Sequence, residues 1–259
     1  MAKPYIIRIS SQKGGVGKTT VATNLAVVLK RLGYETLLMD ADTTNPSVGF
    51  HLGMEDANIG FYELMSGKAS LSGTTHVHGA SGIRVIPGTM TSNPFVPSPE
   101  RMHSLRLQLD KASYDFVVVD TPPGFFPEGA GEFYDEAVII STPDMASAAA
   151  SIRLAHVYDK RHIKHILALN RVAGKRYELN INEIEEMYED KVQAVLPEDE
   201  IVPKSIAEHI PAYILDRRAP FSRNAFNLSS AFPSRRAPKE PGPQRRVGLL
   251  GWLLSLFRG

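Results

Sequence analysis

The run Ser10-Ser11-Gln12-Lys13-Gly14-Gly15-Val16-Gly17-Lys18-Thr19-Thr20 limits what this chain can fold into more than any other stretch. The residues just before it, from Tyr5 to Ser10, are rich in β-formers and read as a strand. After it, Val21, Leu25, Val28, Leu29 and Leu32 recur at helical spacing, with Gly33 where a C-terminal cap belongs. Strand, glycine-rich turn, helix is the context of a phosphate-binding loop. Glycines let backbone N–H groups close around a phosphate because no Cβ blocks the approach. The helix N-terminus adds partial positive charge to those donors. In such a loop Gly14, Gly15, Val16, Gly17, Lys18, Thr19 and Thr20 form the nucleotide cradle. Lys18 is placed to reach the β- and γ-phosphates and the Thr19 hydroxyl to ligate Mg²⁺.

The loop departs from the common G-x-x-x-x-G-K-[ST] pattern, whose first glycine would fall at Gln12. A second lysine, Lys13, stands directly before the glycine pair instead. This K-G-G-x-G-K-[ST] form resembles the deviant Walker A motif of the MinD/ParA ATPases, a class within the P-loop NTPases. The resemblance implies that Lys13 reaches across an ATP-sandwich homodimer to the partner's phosphates. A solvated surface lysine is the plainer alternative.

The chain has 259 residues and 43% hydrophobic content, ordinary for one packed α/β domain. Its formal charge of +1 argues against a surface that generally coats nucleic acid. It has no cysteine, which removes disulfides and thiolate metal sites, and with them an iron–sulfur cluster. Nitrogenase iron proteins and Mrp-type cluster carriers share this loop but need cysteine ligands. No signal peptide precedes the first strand and no apolar run approaches the ~20 residues of a membrane span. The body is therefore expected in the cytoplasm.

Beyond the loop, β and α patterns alternate. Residues 35–40 read as a buried strand ending in Asp40-Ala41-Asp42-Thr43-Thr44-Asn45-Pro46. Ligands sit beyond the carboxyl ends of such strands, so both aspartates point toward the nucleotide. Residues 83–88 are a plausible strand and turn, and 98–111 a helix with Ser98 as N-cap and Pro99 at its first position. His76 and His78 form an H-x-H pair that, without a third ligand in view, reads as an ordinary loop. Residues 114–120 are a central parallel strand running into Asp120. Strand-like 137–141, a helix near 145–158, strands at 165–170 and 192–196, and helices near 203–209 and 221–232 continue the alternation. These elements specify a mostly parallel central sheet with helices on both faces, the P-loop NTPase arrangement.

The resemblance spans roughly residues 4–232 and implies roles for several of these residues. By that resemblance Asp42 positions or polarises the attacking water in the switch I region, Asp40 supports the magnesium shell, and Asp120 holds Mg²⁺ through a water as the Walker B aspartate. Thr121-Pro122-Pro123-Gly124 matches the family's switch II, although the family favours a small residue after the first proline and Phe125-Phe126-Pro127 is bulkier than usual. Asn170 contacts the adenine, and Arg171 completes the family's N-R pair. A strand-end Asp or an Asn that merely caps a turn remains the plainer reading of each.

Composition changes at Pro233. Residues 233–246 are proline- and arginine-rich and read as an extended linker. Residues 247–259 come next as a candidate amphipathic helix. At ~100° per residue, Leu249, Leu250, Trp252, Leu253, Leu254, Leu256 and Phe257 share one broad arc, opposite Gly248, Gly251, Ser255 and Arg258. Such a helix is about 20 Å long, short of a ~30 Å hydrocarbon core, so it is expected to lie in the interface with Trp252 as an anchor. This looks like the membrane-targeting sequence of the family's MinD branch, with its basic charge displaced into the linker. Docking on a partner's groove is the alternative.

The expectation is thus a MinD-like ATPase. It binds ATP and Mg²⁺, dimerises, cycles between cytosol and an anionic membrane, and answers to an unidentified protein activator or cargo. A ParA-like partitioning ATPase that binds nonspecific DNA is the competing reading. The seven apolar tail residues, of no use to phosphate binding, speak against it. A scaffold with a dead nucleotide site is a third.

Overall fold

The computed structural model describes residues 3–89, 96–124 and 133–233. The linker and candidate tail helix, with Leu249 through Phe257, lie outside the described residues, as does Phe125-Phe126-Pro127.

Eight strands form one sheet in the order β3-β4-β2-β5-β1-β6-β7-β8. They are β1 (Tyr5–Ser10), β2 (Thr36–Asp40), β3 (His76–Val77), β4 (Arg84–Ile86), β5 (Phe116–Asp120), β6 (Glu136–Ser141), β7 (His165–Val172) and β8 (Val192–Pro197). All neighbours pair in parallel except the short β3, which runs antiparallel to β4. The helices are α1 (Lys18–Arg31), α2 (Val48–Leu52), α3 (Phe61–Met65), α4 (Pro99–Lys111), α5 (Met145–Lys160), α6 (Ile181–Tyr188), α7 (Ile201–Ala207), α8 (Ala212–Leu215) and α9 (Pro220–Ser229).

Burial on both sides explains why the central strands read as continuous apolar runs. Their alternate side chains enter different cores. Ile7, Ile9, Leu38, Val118, Val138 and Ile140 pack under α1 and α9. On the other face Ile6, Leu37, Met39, Val117 and Val119 pack with α3 and α4. Ala137, Ile139, Leu167 and Leu169 pack there with α5 and α6. Helix α1 is itself covered on nearly every side: each residue from Thr20 to Leu29 is buried. It forms a central rod between the sheet and α9.

Several local details differ from expectation. The second strand starts at Thr36, one residue later than expected: the Glu35 N–H bonds the Asp115 carboxylate at 2.9 Å, and the Glu35 carboxylate pairs with Lys30 and Arg84. The last helix stops at Ser229 rather than continuing to Phe232. The helix before it covers Ile201–Ala207 rather than 203–209, and the single turn α8 was not anticipated. Four residues carry no helical period. The predicted Ser98 cap is present, its hydroxyl accepting the Arg101 N–H, with Pro99 next in the chain. His76 opens the short β3 rather than lying in a loop; its Nε2 bonds the Ile59 carbonyl oxygen at 2.8 Å and His78 Nδ1 the Ser81 hydroxyl at 2.7 Å, so each imidazole pins a neighbouring loop.

Leu25 lies midway along α1 with no exposed surface. Leu25→Ala is expected to lower the free energy of unfolding by about 2–5 kcal/mol, measured by urea denaturation.

Candidate functional site

Strand register assembles the site. Ile9 and Asp40 each pair with Asp120, so the ends of β1, β5 and β2 stand level at the carboxyl edge of the sheet. The glycine-rich loop leaves β1 at this edge and turns into α1. Gly15 and Gly17 take left-handed backbone (φ 77° and 93°), which favours glycine at both positions. Helix α1 has no side-chain N-cap and no acid in its first turn. Its terminal N–H groups and dipole therefore serve whatever binds in front of them.

In front lies a cavity of about 550 Å³. Gly14, Gly15, Gly17, Lys18, Thr19 and Thr20 line one side. Asp42, Thr44, Asn45, Ser47 and His51 line another, and Asp120, Thr121, Pro122, Pro123, Arg171 and Ile206 the rest. A Cβ placed on Gly14 or Gly15 would meet no atom within 4 Å, so the loop backbone fronts open space.

The carboxylates have different surroundings. Asp40 has no exposed surface, and its oxygens accept the backbone N–H groups of Asp42, Ser47 and Val48 at 3.1, 2.8 and 2.9 Å. Burial, then the neighbouring Asp120, push its carboxyl above the ordinary range against the pull of those bonds. The structure thus makes Asp40 the post that holds the 42–48 loop. Asp120 is 2% exposed. Its Oδ2 accepts the Thr19 hydroxyl, while Oδ1 is buried with no hydrogen-bond partner among the described residues. Burial raises its carboxyl too, with Asp42 adding to the effect and Thr19 and Lys18 opposing it. Asp42 accepts the Thr44 and Asn45 N–H groups at 3.0 and 2.8 Å while lining the cavity, so it both caps a turn and faces the site. Lys18 is lowered by burial, which outweighs the attraction of Asp120 and Asp42; Arg8 adds to the lowering.

These groups fit a nucleotide and a divalent cation. An orphaned buried carboxylate oxygen beside a second buried carboxylate is relieved by a hard cation with oxygen ligands. Thr19 and Asp120 are the residues that would hold Mg²⁺, and the Ser47 hydroxyl lies 2.7 Å from Thr19 Oγ1. The glycine-loop N–H groups and Lys18 suit phosphate oxygens.

Other expected site residues sit elsewhere. Lys13 does not line the cavity: its Nζ is 3.1 Å from Asp144 Oδ1, the N-cap residue of α5, with both side chains about half exposed. Burial works against Asp144 ionisation, but bonds from Thr142, the Ser147 N–H and Lys13 hold its carboxyl below the ordinary range. Asn170 is 4% exposed and stands behind the loop, donating from Nδ2 to the Val16 carbonyl at 2.8 Å. Through that bond its amide braces the P-loop, and its second N–H and its oxygen are not used in it. Val16 itself is buried, and Arg171 (φ 58°) reaches the cavity wall. Sequence reasoning missed Ser47 and His51; nothing in the chain marks His51, which appears only once α2 folds against the cavity. It also read β1 as an apolar run. Arg8 within it is 3% exposed, its guanidinium 5.5 Å from each of the Tyr134 and Tyr158 ring centroids and hydrogen-bonded to the Gly124 carbonyl.

Residues 4–127 match a family model described as an AAA domain. A putative septum site-determining protein MinD of Guillardia theta is 31% identical over 207 residues, covering 76% of this chain and 76% of that protein. An uncharacterized ATP-binding protein of Methanocaldococcus jannaschii is 28% identical over 228 residues, covering 87% and 86%. Among solved structures, the septum site-determining protein MinD complexed with Mg-ADP from Pyrococcus horikoshii superimposes with a TM-score of 0.78 at 26% identity, over 88% of this chain and 95% of that one.

Two outcomes are expected. A Cβ on Gly17 would lie 2.2 Å from Asn170 Nδ2, so Gly17→Ala should abolish nucleotide binding in a fluorescent-nucleotide titration, with restoration incomplete in Gly17→Ala/Asn170→Ala because φ remains left-handed. His51 is pushed down to about 4 by burial. The unfolded chain therefore takes up that proton first, and the stabilisation is full above about pH 6.5 and lost as pH falls toward 4. His51→Leu should remove up to about 3 kcal/mol of this acid-side loss, read from denaturation midpoints across that window.

Proposed function

The chain belongs to the MinD-like ATPases of the MinD/ParA family, and from that premise we propose that it is an ATP-driven switch between a cytosolic and a membrane-attached state. It binds ATP with Mg²⁺, dimerises around two nucleotides, attaches through residues 247–259 and is released on hydrolysis. The observation that carries this reading is the convergence of Lys18, Thr19, Asp42 and Asp120 on one cavity at the N-terminus of a helix without its own cap.

Each residue has a definite task. The loop N–H groups and Lys18 bind and orient the phosphates. Thr19 and Asp120 hold the cation, which when bound offsets charge on the phosphate oxygens. Asp42, fixed by the Thr44 and Asn45 N–H groups, orients water at the phosphate end. Pro122 and Pro123 close the wall beside it. Lys13, tied to Asp144 within the chain, leaves that pair to reach the second copy. The pair is half exposed and so worth less than about 1 kcal/mol, a low barrier to release.

Among the described residues no helix is long and apolar enough to cross a membrane. Attachment is assigned to residues 247–259 on their seven large apolar side chains. One short amphipathic segment binds weakly, and two on a dimer bind by avidity. The relatives named for septum-site determination make positioning of the division site the proposed setting, with a protein activator and cargo as partners.

The test is co-sedimentation of the full chain with anionic vesicles in ATP and in ADP, beside phosphate release. Pelleting is expected in ATP and not in ADP. Asp42→Ala should cut turnover by at least about a hundredfold while keeping ATP-dependent pelleting, since it leaves the binding groups in place. Pelleting indifferent to nucleotide would overturn the switch, and parent turnover unaffected by Asp42→Ala would remove that residue from the chemistry.

A further inference from the structure

The pole of the molecule opposite the nucleotide cavity carries a second feature, built from α1, α8 and α9. Arg31 at the end of α1 and Arg217 and Arg218 after α8 converge on one depression of about 560 Å³, whose other lining residues are Tyr213, Ile214, Leu215 and Asp216. All three arginines are exposed. None of them, nor exposed Arg223 on α9, enters an ion pair among the described residues. The one acid in the depression, Asp216, accepts the Arg218 backbone N–H at 2.8 Å. Lys30 beside Arg31 is already engaged by Glu35 at 3.0 Å. An apolar shoulder completes the face: Phe226 is 39% exposed and stacks on Tyr213 with ring centroids 6.4 Å apart.

The chain leaves the folded body from this same region. Phe232, just beyond α9, packs its ring 6.5 Å from that of Tyr5 at the start of β1. Tyr5 contacts Phe116, and Phe116 contacts Tyr34, three residues after Arg31. Pro233 therefore departs from the end of the sheet at which Arg31 lies, and the arginine-rich sequence and then the apolar segment continue from it.

We propose that this arginine face is a second, electrostatic contact with an anionic lipid surface, seating the folded body on the bilayer to which the tail is fixed. The proposal rests on the membrane reading given above and names the part of the body that meets the lipid. A guanidinium bonds phosphate oxygens in a forked geometry and stays charged under all relevant conditions. Three of them around one depression, with Phe226 beside them, suit a headgroup layer. The chain's formal charge is only +1, so attraction to such a surface depends on this local concentration rather than on a global field. Nucleic acid shares the phosphate chemistry. Lipid is the occupant favoured here because the polypeptide runs from this face into a segment with seven large apolar side chains, which a bilayer buries and a nucleic-acid phosphate backbone does not.

The experiment uses the full chain with ATP, on phosphatidylcholine vesicles containing increasing phosphatidylglycerol and at several salt concentrations. Three proteins are compared: the parent, Arg31→Gln/Arg217→Gln/Arg218→Gln, and the tail variant Trp252→Glu/Leu253→Glu. Fluorescent-nucleotide affinity equal to the parent's certifies that the triple variant is folded. The triple variant is expected to partition about ten- to a hundredfold more weakly onto phosphatidylglycerol vesicles, with a shallower salt dependence. On pure phosphatidylcholine it should match the parent. Partitioning equal to the parent's at every phosphatidylglycerol fraction would overturn the proposal. So would loss of duplex-DNA binding with vesicle binding intact, which would give the face to nucleic acid. A tail variant that binds as the parent does would instead sink the tail assignment, and that failure is distinct from failure of the arginine face.

Discussion

Parallel pairing of β2 and β5 sets Asp40 directly opposite Asp120, and the site is arranged around the cost of burying both. A buried ionised carboxylate is tolerated only when its lone pairs find donors or a cation. Asp40 finds its donors in the backbone of the loop just after it, and in doing so fixes the path of that loop past the cavity. Asp120 is left half provided for, with one oxygen on Thr19 and the other without a partner among the described residues. Asp120 and Asp42 in turn hold up the pKa of Lys18 against its burial. The acids repel one another and are drawn together by Lys18, so losing Lys18 leaves Asp120 with less to offset its burial, while losing Asp120 relieves Asp40 but costs Lys18 its strongest attraction.

Much of this was legible in the sequence because local rules and global fold agree. The glycine-rich turn, the β-to-α alternation, the Ser98 cap and the strands ending in Asp40 and Asp120 each arise from short-range chemistry. Other features were hidden for definite reasons. Asn170 carries the same amide whether it faces a base or a carbonyl, and only packing of β7 against the glycine loop turns it toward Val16. Arg8 sits in a strand whose neighbours are aliphatic, and its burial depends on rings that arrive from Tyr134 and Tyr158, far along the chain. His51 belongs to a five-residue helix, too short to show a period. The arginine face is assembled from two separated segments and has no linear signature.

The two ends of the sheet divide the labour. At the carboxyl ends, backbone donors and acids surround a cavity that suits phosphates and a cation. At the opposite end, aromatic rings from Tyr5, Tyr34, Phe116 and Phe232 close the core, and arginines face outward nearby. Helix α1 runs from one end to the other, from the glycine loop to Arg31. It is buried along most of its length, so its position is set by packing on the sheet and α9 rather than by its two ends.

The close fit of Gly17 against Asn170 has a consequence for how this chain can change over generations. A side chain at position 17 is excluded both by the left-handed backbone and by the amide that occupies its space. Shrinking residue 170 removes only the second obstacle and takes away the bond that holds the Val16 carbonyl. No single replacement at either position is therefore a step toward a working alternative. The two positions thus constrain each other more tightly than either is constrained by the helices around them.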